Sequence, residues 1–278
     1  MPELPEVETI RLQLRRGSDE IPSLLGQRIV GVSLRWPRHI VEPAVSTFRR
    51  QIRGRAIQDV RRRGKFLLIP LDERTLAIHL MMSGGLRMAD SISPRGRFDH
   101  TVFKFESGWQ LRFSDSRKFG RVYLVKNLEE LLGKLGPEPL TDDFDLPVLG
   151  QILSEHRRAL KPLLMDQTVI AGLGNIYTDE ALHRAKLHPL RQSDSLNPAE
   201  VRDLWEGIRE ALQSGLHHNG ASIDWVYRGG DFQNYFHAYG RAGEPCPACG
   251  TEIVRTVVGQ RGTYFCPTCQ VRSRHRDE

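Results

Sequence analysis

The sequence predicts an α+β protein in which an N-terminal helix and an antiparallel β-sandwich or barrel precede a helical region and a metal-bound hairpin. Three observations predict this order. Alternating apolar segments dominate residues 28–126, a three-and-four apolar spacing dominates from about residue 128, and all four cysteines lie near the C-terminal end. Strands followed by helices indicate two domains, and a chain of 278 residues is long enough to form them.

The composition fits a globular protein with an anionic partner. Hydrophobic residues make up 39% of the chain and charged residues 27%. No apolar run approaches the length of a membrane span, and acids stand where a secretory signal would carry bases, so we expect a cytoplasmic protein with no membrane partner. The net charge is +6, and residues 1–70 hold 14 Lys and Arg against seven Asp and Glu. A solvated, salt-bridged face would explain such a charge run, but the basic pI of about 9.3 and the cysteine pairs described below favour nucleic acid.

The first predicted element is a helix that begins within the opening residues MPELPEVETI. Pro5 suits the first helical turn, where its missing N–H is no loss, and Glu6 and Glu8 suit the positive end of the helix dipole. An apolar face follows at Val7, Ile10 and Leu14. Helix formation leaves Pro2 and Glu3 unexplained.

The second predicted region is the β-sandwich. In RIVGVSLRW, Val30, Val32, Leu34 and Trp36 alternate with small or polar residues, which is typical of a half-buried strand. FLLIPL, TLAIHLMM and RVYLV predict further strands. HTVFKF and WQLRF, separated by ESG, predict a hairpin with Gly108 in its loop.

The third predicted region is helical. The apolar spacing holds from Leu149 to Leu160 and from Val201 to Leu212, and Asn197 with Glu200 forms a capping-box signal before the second stretch. The acidic segment TDDFDLP predicts a linker. The predicted boundaries are residues 1–126 for the sandwich, 127–147 for the linker, 148–236 for the helical domain and 237–278 for the zinc finger.

A glycine-rich turn stands before one further predicted helix. In AGLGNIYTDEALHRA, Gly172 and Gly174 precede a helix that begins near Asn175. The free N–H groups of such a helix end can bind an anion, although a plain cap or a tight turn explains the glycines equally well.

The four cysteines form two C-x-x-C pairs sixteen residues apart, at Cys246, Cys249, Cys266 and Cys269. This spacing predicts one structural Zn²⁺, held by four thiolates with no position open for chemistry. Two disulfides are disfavoured in a cytoplasmic chain. The segment between the pairs predicts a hairpin whose exposed tip carries Arg261, suited to a phosphate or simply to a soluble turn.

Motifs throughout the chain resemble those of the formamidopyrimidine-DNA glycosylases, a bacterial base-excision repair family that includes endonuclease VIII. They are MPELPEVET, RRRGKFLL, HLMMSG, SDSRKFG, KPLLMDQTVIAGLGNIYTDEAL, LHPLR, YGRAGEPCPACG and GQRGTYFCPTCQ. The resemblance implies a β-sandwich with a long N-terminal helix, a helix-two-turns-helix domain and a zinc-finger hairpin. It also implies a monomeric, bifunctional DNA glycosylase and abasic-site lyase that excises oxidised purines from double-stranded DNA by base flipping, Schiff-base attack and β,δ-elimination.

The resemblance also implies the catalytic residues. Pro2, exposed by removal of the initiator methionine, would be the nucleophile, because an N-terminal amine has a pKa near 7.7–8.0 and is partly neutral at neutral pH. Glu3 would protonate the opening deoxyribose. Lys65 matches the lysine of β-elimination, and Arg261 matches the arginine of phosphate binding and δ-elimination.

A further set of residues is implied in DNA binding. Residues that would enter the base stack are Met82, Arg117 and Phe119. Residues that match phosphate or lesion-side contacts are His79, Lys161 and Asn175, with Arg157 as a further candidate on the same helix. From the residues alone, Met82 would continue the buried face of the preceding strand, and Lys65 would be a solvated turn residue.

Three departures from the family pattern concern DNA contacts and base preference. Met81 stands where the family usually has Gly, Phe98 lies where His is frequent, and the lesion-capping segment at residues 221–240 is short. Leu4 matches the formamidopyrimidine branch, because endonuclease VIII usually has Gly there. The alternatives are an endonuclease VIII-like enzyme for oxidised pyrimidines and a non-catalytic DNA-binding homologue, which would need neither Pro2, Glu3 nor Lys65.

Overall fold

Two β-sheets and a long N-terminal helix form the first of two units in the computed structural model, which describes residues 1–222 and 229–272. This unit comprises Met1–Gly133 and Asn219–Gly230. Its helices are α1 (Leu4–Arg16), α2 (Val45–Ile52) and α3 (Glu129–Leu132). Its strands are β1 (Ile29–Leu34), β2 (Ile40–Glu42), β3 (Arg61–Arg63), β4 (Phe66–Pro70), β5 (Thr75–His79), β6 (Gly84–Asp90), β7 (Asp99–Phe105), β8 (Trp109–Asp115) and β9 (Arg121–Val125).

The strands form a four-stranded sheet in the order β1-β7-β8-β6 and a five-stranded sheet in the order β2-β9-β5-β4-β3. The predicted antiparallel pairing is confirmed except at the short strand β2, which pairs with β9 in parallel. Apolar residues of both sheets and of α1 share one core, to which Val7 and Ile10 on the helix contribute. The predicted α+β class with an N-terminal sandwich is therefore confirmed.

The predicted hairpin is formed by β7 and β8, with Gly108 at a φ of 83° in its loop. In β1 the predicted inward face is wrong at one position. Ile29 is fully buried, whereas Val30 is 39% exposed. An irregularity between Ile29 and Gly31 shifts the register against β7, and this shift breaks the alternation.

The second unit comprises Lys134–His218 and Asp231–Glu278. Its helices are α4 (Leu146–Glu155), α5 (Leu160–Leu164), α6 (Asn175–Arg184) and α7 (Pro198–His217), and its strands are β10 (Val254–Val258) and β11 (Arg261–Phe265). The predicted capping box of α7 is confirmed, since Asn197 and Glu200 each accept the other's backbone N–H at 3.0 Å.

One predicted helix ends earlier than its apolar spacing indicated. Helix α4 stops at Glu155 because His156 is extended, with φ −119° and ψ 131°. Arg157 therefore lies in the connection between α4 and α5, not on a helix with Lys161. In the part of the chain that the structure describes, no helix combines the length and the apolar character needed to span a membrane.

Candidate active site and nucleic-acid interface

The N-terminus is held by one buried carboxylate. Pro2 and Glu3 are buried immediately before α1. The Glu3 N–H donates to Oε2 of Glu6 at 2.8 Å, and the Ala221 N–H donates to Oε1 of Glu6 at 2.7 Å. Glu6 is only 2% exposed. It therefore fixes the backbone next to Pro2 and ties it to a residue 215 positions further along the chain.

Lys65 lies in the tight turn between β3 and β4 and is only 5% exposed, so its interpretation as a solvated turn residue is wrong. The adjacent Gly64 has a φ of 55°, which favours glycine. Arg62 braces the turn, donating to the Gly64 carbonyl and to the Glu8 carboxylate, each at 3.0 Å. The hydrogen bond from Arg62 to Glu8 connects the turn to α1, the helix that follows Pro2 and Glu3.

His79, at the end of β5, is a neutral hydrogen-bond donor at neutral pH. Burial, reinforced by the nearby charge of Lys65, lowers the pKa of His79 to about 4. The Met81 N–H donates to Nδ1 at 3.0 Å. In the neutral ring the proton then resides on Nε2, which is able to donate to a phosphate oxygen.

Met82, Arg117 and Phe119 lie in two connections between the sheets. Met82 follows β5, so it does not continue the strand's buried face and is only half-buried. Arg117 is exposed and stacks over the exposed Phe119 ring at 5.1 Å from its centroid. Neighbouring Met81 has a φ of 54°, a left-handed conformation that explains why glycine is usual there.

In the second unit a buried ion pair connects α5, α6 and the C-terminal hairpin. Lys161 is fully buried, and its Nζ lies 2.6 Å from Asp179 Oδ1 and 3.0 Å from the Gly262 carbonyl oxygen. The Tyr264 N–H donates to the other oxygen of Asp179 at 3.0 Å. Burial raises the pKa of Asp179 to about 7, and attraction by the Lys161 ammonium opposes a further rise.

Asn175 begins α6 and also donates to the Gly262 carbonyl, at 3.0 Å. Arg261, next to Gly262, is exposed, but it is the first residue of β11 and pairs with Val258, while the hairpin turn itself is Gly259 and Gln260. Lys161, Asp179 and Asn175 thus hold the backbone that presents Arg261.

Two further predicted anion contacts differ in their surroundings. The Gly172 N–H in the turn before α6 donates to Gln167 Oε1 at 2.9 Å. A protein acceptor therefore already satisfies one of the N–H groups of the predicted anion site. The Arg157 side chain is 87% exposed, and its Nε lies 3.8 Å from Asp194. Because the side chain is so exposed, the Arg157 guanidinium is accessible to a ligand. Its pair with Asp194 contributes little stability.

The ligand atoms of Cys246, Cys249, Cys266 and Cys269 all lie within 4.8 Å of one another. A tetrahedral zinc–thiolate site, with zinc–sulfur bonds of about 2.3 Å, needs sulfurs this close. The four cysteines thus fit one structural zinc ion, as predicted. His183 of α6 is buried beside this cluster, with Nε2 3.3 Å from Cys246 Sγ.

Sequence reasoning did not identify Asp179 or His183 as supporting residues. Both lie in the quoted motif around α6, but neither has a local signal that reveals its partner. The contact from His183 to Cys246 spans 63 residues, and that from Asp179 to Tyr264 spans 85. The segment predicted to cap the lesion lies partly outside the described residues, at positions 223–228.

Comparison with protein families gives three matches. Residues 1–122 match the formamidopyrimidine-DNA glycosylase N-terminal domain, residues 135–226 match the H2TH domain of the same proteins, and residues 243–271 match a zinc finger found in FPG and IleRS. The formamidopyrimidine-DNA glycosylase of Herpetosiphon aurantiacus is 45% identical, over 97% of this chain and 100% of its own length.

Two solved structures show the same similarity. Wild-type Lactococcus lactis Fpg (MutM) in complex with N7-benzyl-Fapy-dG-containing DNA is 38% identical with a TM-score of 0.90, covering 97% of this chain and 100% of that one. MutM in complex with carbocyclic 8-oxo-G-containing DNA is 37% identical with a TM-score of 0.89, at the same coverage. On this agreement of sequence, fold and cysteine cluster, the chain belongs to the formamidopyrimidine-DNA glycosylase family.

Proposed function

We propose that this protein is a bifunctional DNA glycosylase and abasic-site lyase that excises 8-oxoguanine and ring-opened formamidopyrimidines from double-stranded DNA. The observation that carries the proposal is the buried N-terminus, where Glu6 accepts the Glu3 N–H at 2.8 Å and so holds the backbone beside Pro2. A protein that only binds DNA does not need a secondary amine and a carboxyl group held in this way. Relatives solved in complex with DNA that contains carbocyclic 8-oxo-G or N7-benzyl-Fapy-dG support the same substrate class.

In the proposed reaction, removal of Met1 frees the Pro2 amine, which attacks C1′ of the damaged nucleotide. The bond from C1′ to the base breaks, and the leaving base takes up the proton that the Pro2 amine loses. Glu3 delivers a proton to the ring oxygen as the bond between C1′ and that oxygen breaks and the sugar opens. The product is an iminium between Pro2 and C1′. Its positive charge draws electrons from the sugar, so loss of the C2′ proton expels the 3′ phosphate, and a second elimination expels the 5′ phosphate.

We propose that polar residues of both units bind phosphate groups of the damaged DNA strand. His79 supplies a neutral N–H donor to a phosphate. Lys65 is the proposed lysine of β-elimination, and its charge already lowers the pKa of His79. In the second unit we assign Arg261 to the phosphate that leaves in the δ-elimination, and Asn175, Lys161 and Arg157 to the strand. Lys161 is buried against Asp179, so its DNA contact stays a prediction that requires the ammonium to change partner.

Met82, Arg117 and Phe119 are the proposed wedge, which fills the space that the flipped nucleotide leaves in the duplex. The stacked pair of Arg117 and Phe119 combines a flat apolar surface with a cation that can face the orphaned base. Leu4 supports the choice of oxidised purines over pyrimidines. We expect a monomer that acts in the bacterial cytoplasm, at the nucleoid.

The test is single-turnover cleavage of three duplexes, carrying 8-oxoguanine, a ring-opened purine or an oxidised pyrimidine. The wild-type protein should cleave the purine lesions fastest, and Pro2→Gly should bind them but lose most excision. Pro5→Ala is the matched control, since this proline lies three residues later and has no proposed chemical role. Faster cleavage of the duplex with the oxidised pyrimidine would indicate an endonuclease VIII-like enzyme. Full excision by Pro2→Gly would refute the assignment of Pro2 as the nucleophile.

A further inference from the structure

The two connections that carry the wedge residues lie side by side in the first unit. Residues 80–83 join β5 to β6, and residues 116–120 join β8 to β9. Their ends are paired on both sheets, because Gly84 pairs with Asp115 and His79 pairs with Arg121. We call these connections the wedge loops. Each passes from one sheet of the sandwich to the other.

A single buried carboxylate lies between the wedge loops. Asp115 is fully buried, and its Oδ1 accepts a hydrogen bond from Ser83 Oγ at 2.5 Å and one from the Arg117 N–H at 3.2 Å. Its Oδ2 accepts the Gly120 N–H at 2.7 Å. Ser83 Oγ also accepts the Arg117 N–H, at 3.1 Å. The carboxylate thus binds the residue after Met82 and both sides of the segment that contains Arg117 and Phe119.

A buried histidine lies beside the same carboxylate. His39, also fully buried, places Nε2 at 3.4 Å from Asp115 Oδ2 and Nδ1 at 3.1 Å from Thr101 Oγ1. Burial opposes ionisation of Asp115, but the nearby His39 ring and the hydrogen bonds from Ser83 and from the Gly120 N–H hold its pKa at about 2, so it is a carboxylate at neutral pH.

Glycines at the loop ends bring the backbone of both loops close to one buried aromatic ring. A Cβ added to Gly84 would lie 2.7 Å from the Phe113 ring, and one added to Gly120 would lie 2.3 Å from it. Both loops therefore rest on the same aromatic ring. The loops that carry the three wedge side chains therefore pack on the same part of the core.

We propose that Asp115, together with Ser83, is a positioning residue that couples the two wedge loops, so that Met82, Arg117 and Phe119 enter the base stack as one rigid body. The inference rests on the proposed function of these three side chains. A rigid wedge loses less conformational entropy on insertion than three independent side chains, so it should insert faster. Asp115 and Ser83 do not touch the reacting atoms in this scheme, and their effect should be confined to eversion of the base.

The test compares Ser83→Ala with wild type in two assays. Stopped-flow fluorescence of 2-aminopurine beside the lesion reports wedge insertion and needs no chemistry. Single-turnover cleavage is then measured on an 8-oxoguanine duplex and on a duplex with an abasic site, where no base has to be everted. Loss of a hydrogen bond to a charged acceptor should slow insertion and 8-oxoguanine excision about tenfold. Cleavage at the abasic site should stay within twofold of wild type.

The matched control is Ser93→Ala, which removes a serine hydroxyl that donates to Asp90 at 2.8 Å, away from the wedge loops. It should leave both assays unchanged. Asp115→Asn, with its fold checked by circular dichroism, should slow insertion as Ser83→Ala does. Insertion within twofold of wild type in Ser83→Ala, or an equal loss on abasic DNA, would overturn the proposal. If wild type everts the base but cleaves neither duplex, the proposed function fails while the coupling is still measured by fluorescence.

Discussion

Replacing Asp179 with Asn should destabilise the second unit by about 3 kcal/mol, because the variant removes the negative charge that lies against a fully buried ammonium. The Lys161 ammonium has no exposed surface, and its contact with Asp179 is 2.6 Å. An Asn amide can still accept one hydrogen bond from Lys161. The NH₂ group of the Asn side chain then points towards the Tyr264 N–H, so two donors face each other. In the wild type, a carboxylate oxygen of Asp179 accepts that N–H at 3.0 Å.

The assay is urea unfolding followed by far-ultraviolet circular dichroism at pH 8 with zinc in slight excess. This pH lies above the pKa of about 7 to which burial raises Asp179, so the carboxylate of the wild type is ionised. Asp166→Asn is the control, because its pair with Arg158 is partly exposed, with side-chain exposures of 29% and 43%. It should lower the free energy of unfolding by less than about 1 kcal/mol.

A double variant separates charge burial from general damage. Lys161→Met with Asp179→Leu removes both charges, and apolar replacements of a buried pair are commonly neutral or stabilising. It should therefore recover most of the stability lost in Asp179→Asn. A loss in Asp179→Asn no larger than in Asp166→Asn, or a double variant less stable than the single one, would refute this reasoning.

Three further predictions concern the zinc site, His79 and a helix end. Chelation of zinc should unfold the C-terminal hairpin and weaken DNA binding at least about tenfold, since structural zinc contributes roughly 10–16 kcal/mol in small zinc fingers; unchanged affinity after metal loss verified by atomic absorption would contradict this. The His79 ring should titrate near pH 4 by NMR, so its contribution to stability is present above pH 6.5 and is lost as the pH falls towards 4. Lys65→Gln should move this midpoint upward but leave it below 6.5, because burial is the larger cause; a midpoint at 6.5 in wild type would exclude that cause. Lys186→Gly should raise the free energy of unfolding by about 1 kcal/mol, because this exposed residue after α6 has a φ of 55°, and a calorimetric melt that shows destabilisation would be the contrary result.

Elements with local signals could be predicted from the sequence. The capping box of α7, the hairpin at Gly108 and the cysteine pairs each depend on residues a few positions apart. The family resemblance implies residue roles without coordinates, and these roles stay predictions. The surroundings of those residues could not be predicted in the same way. Lys65 is buried where a solvated turn was the simplest interpretation, and Val30 is exposed because of an irregular register that alternation does not reveal.

The contacts that support the site escape sequence reasoning because they join distant residues. Glu6 meets Ala221 across 215 positions, Lys161 meets Gly262 across 101, and Ser83 meets Asp115 across 32. None of these pairs has a periodicity that would reveal its partner. Their placement follows from the sheet order and from the packing of α5, α6 and the hairpin, which only a three-dimensional structure provides.

The most direct test of the central claim is borohydride trapping of the purified protein on 8-oxoguanine duplex DNA, followed by mass-spectrometric mapping of the cross-linked residue. Our account predicts a covalent adduct on the amine of Pro2, with Met1 absent from the adducted chain. An adduct on Lys65 or on another lysine would contradict the assignment of Pro2 as the nucleophile. DNA binding with no adduct would contradict the proposed chemistry itself.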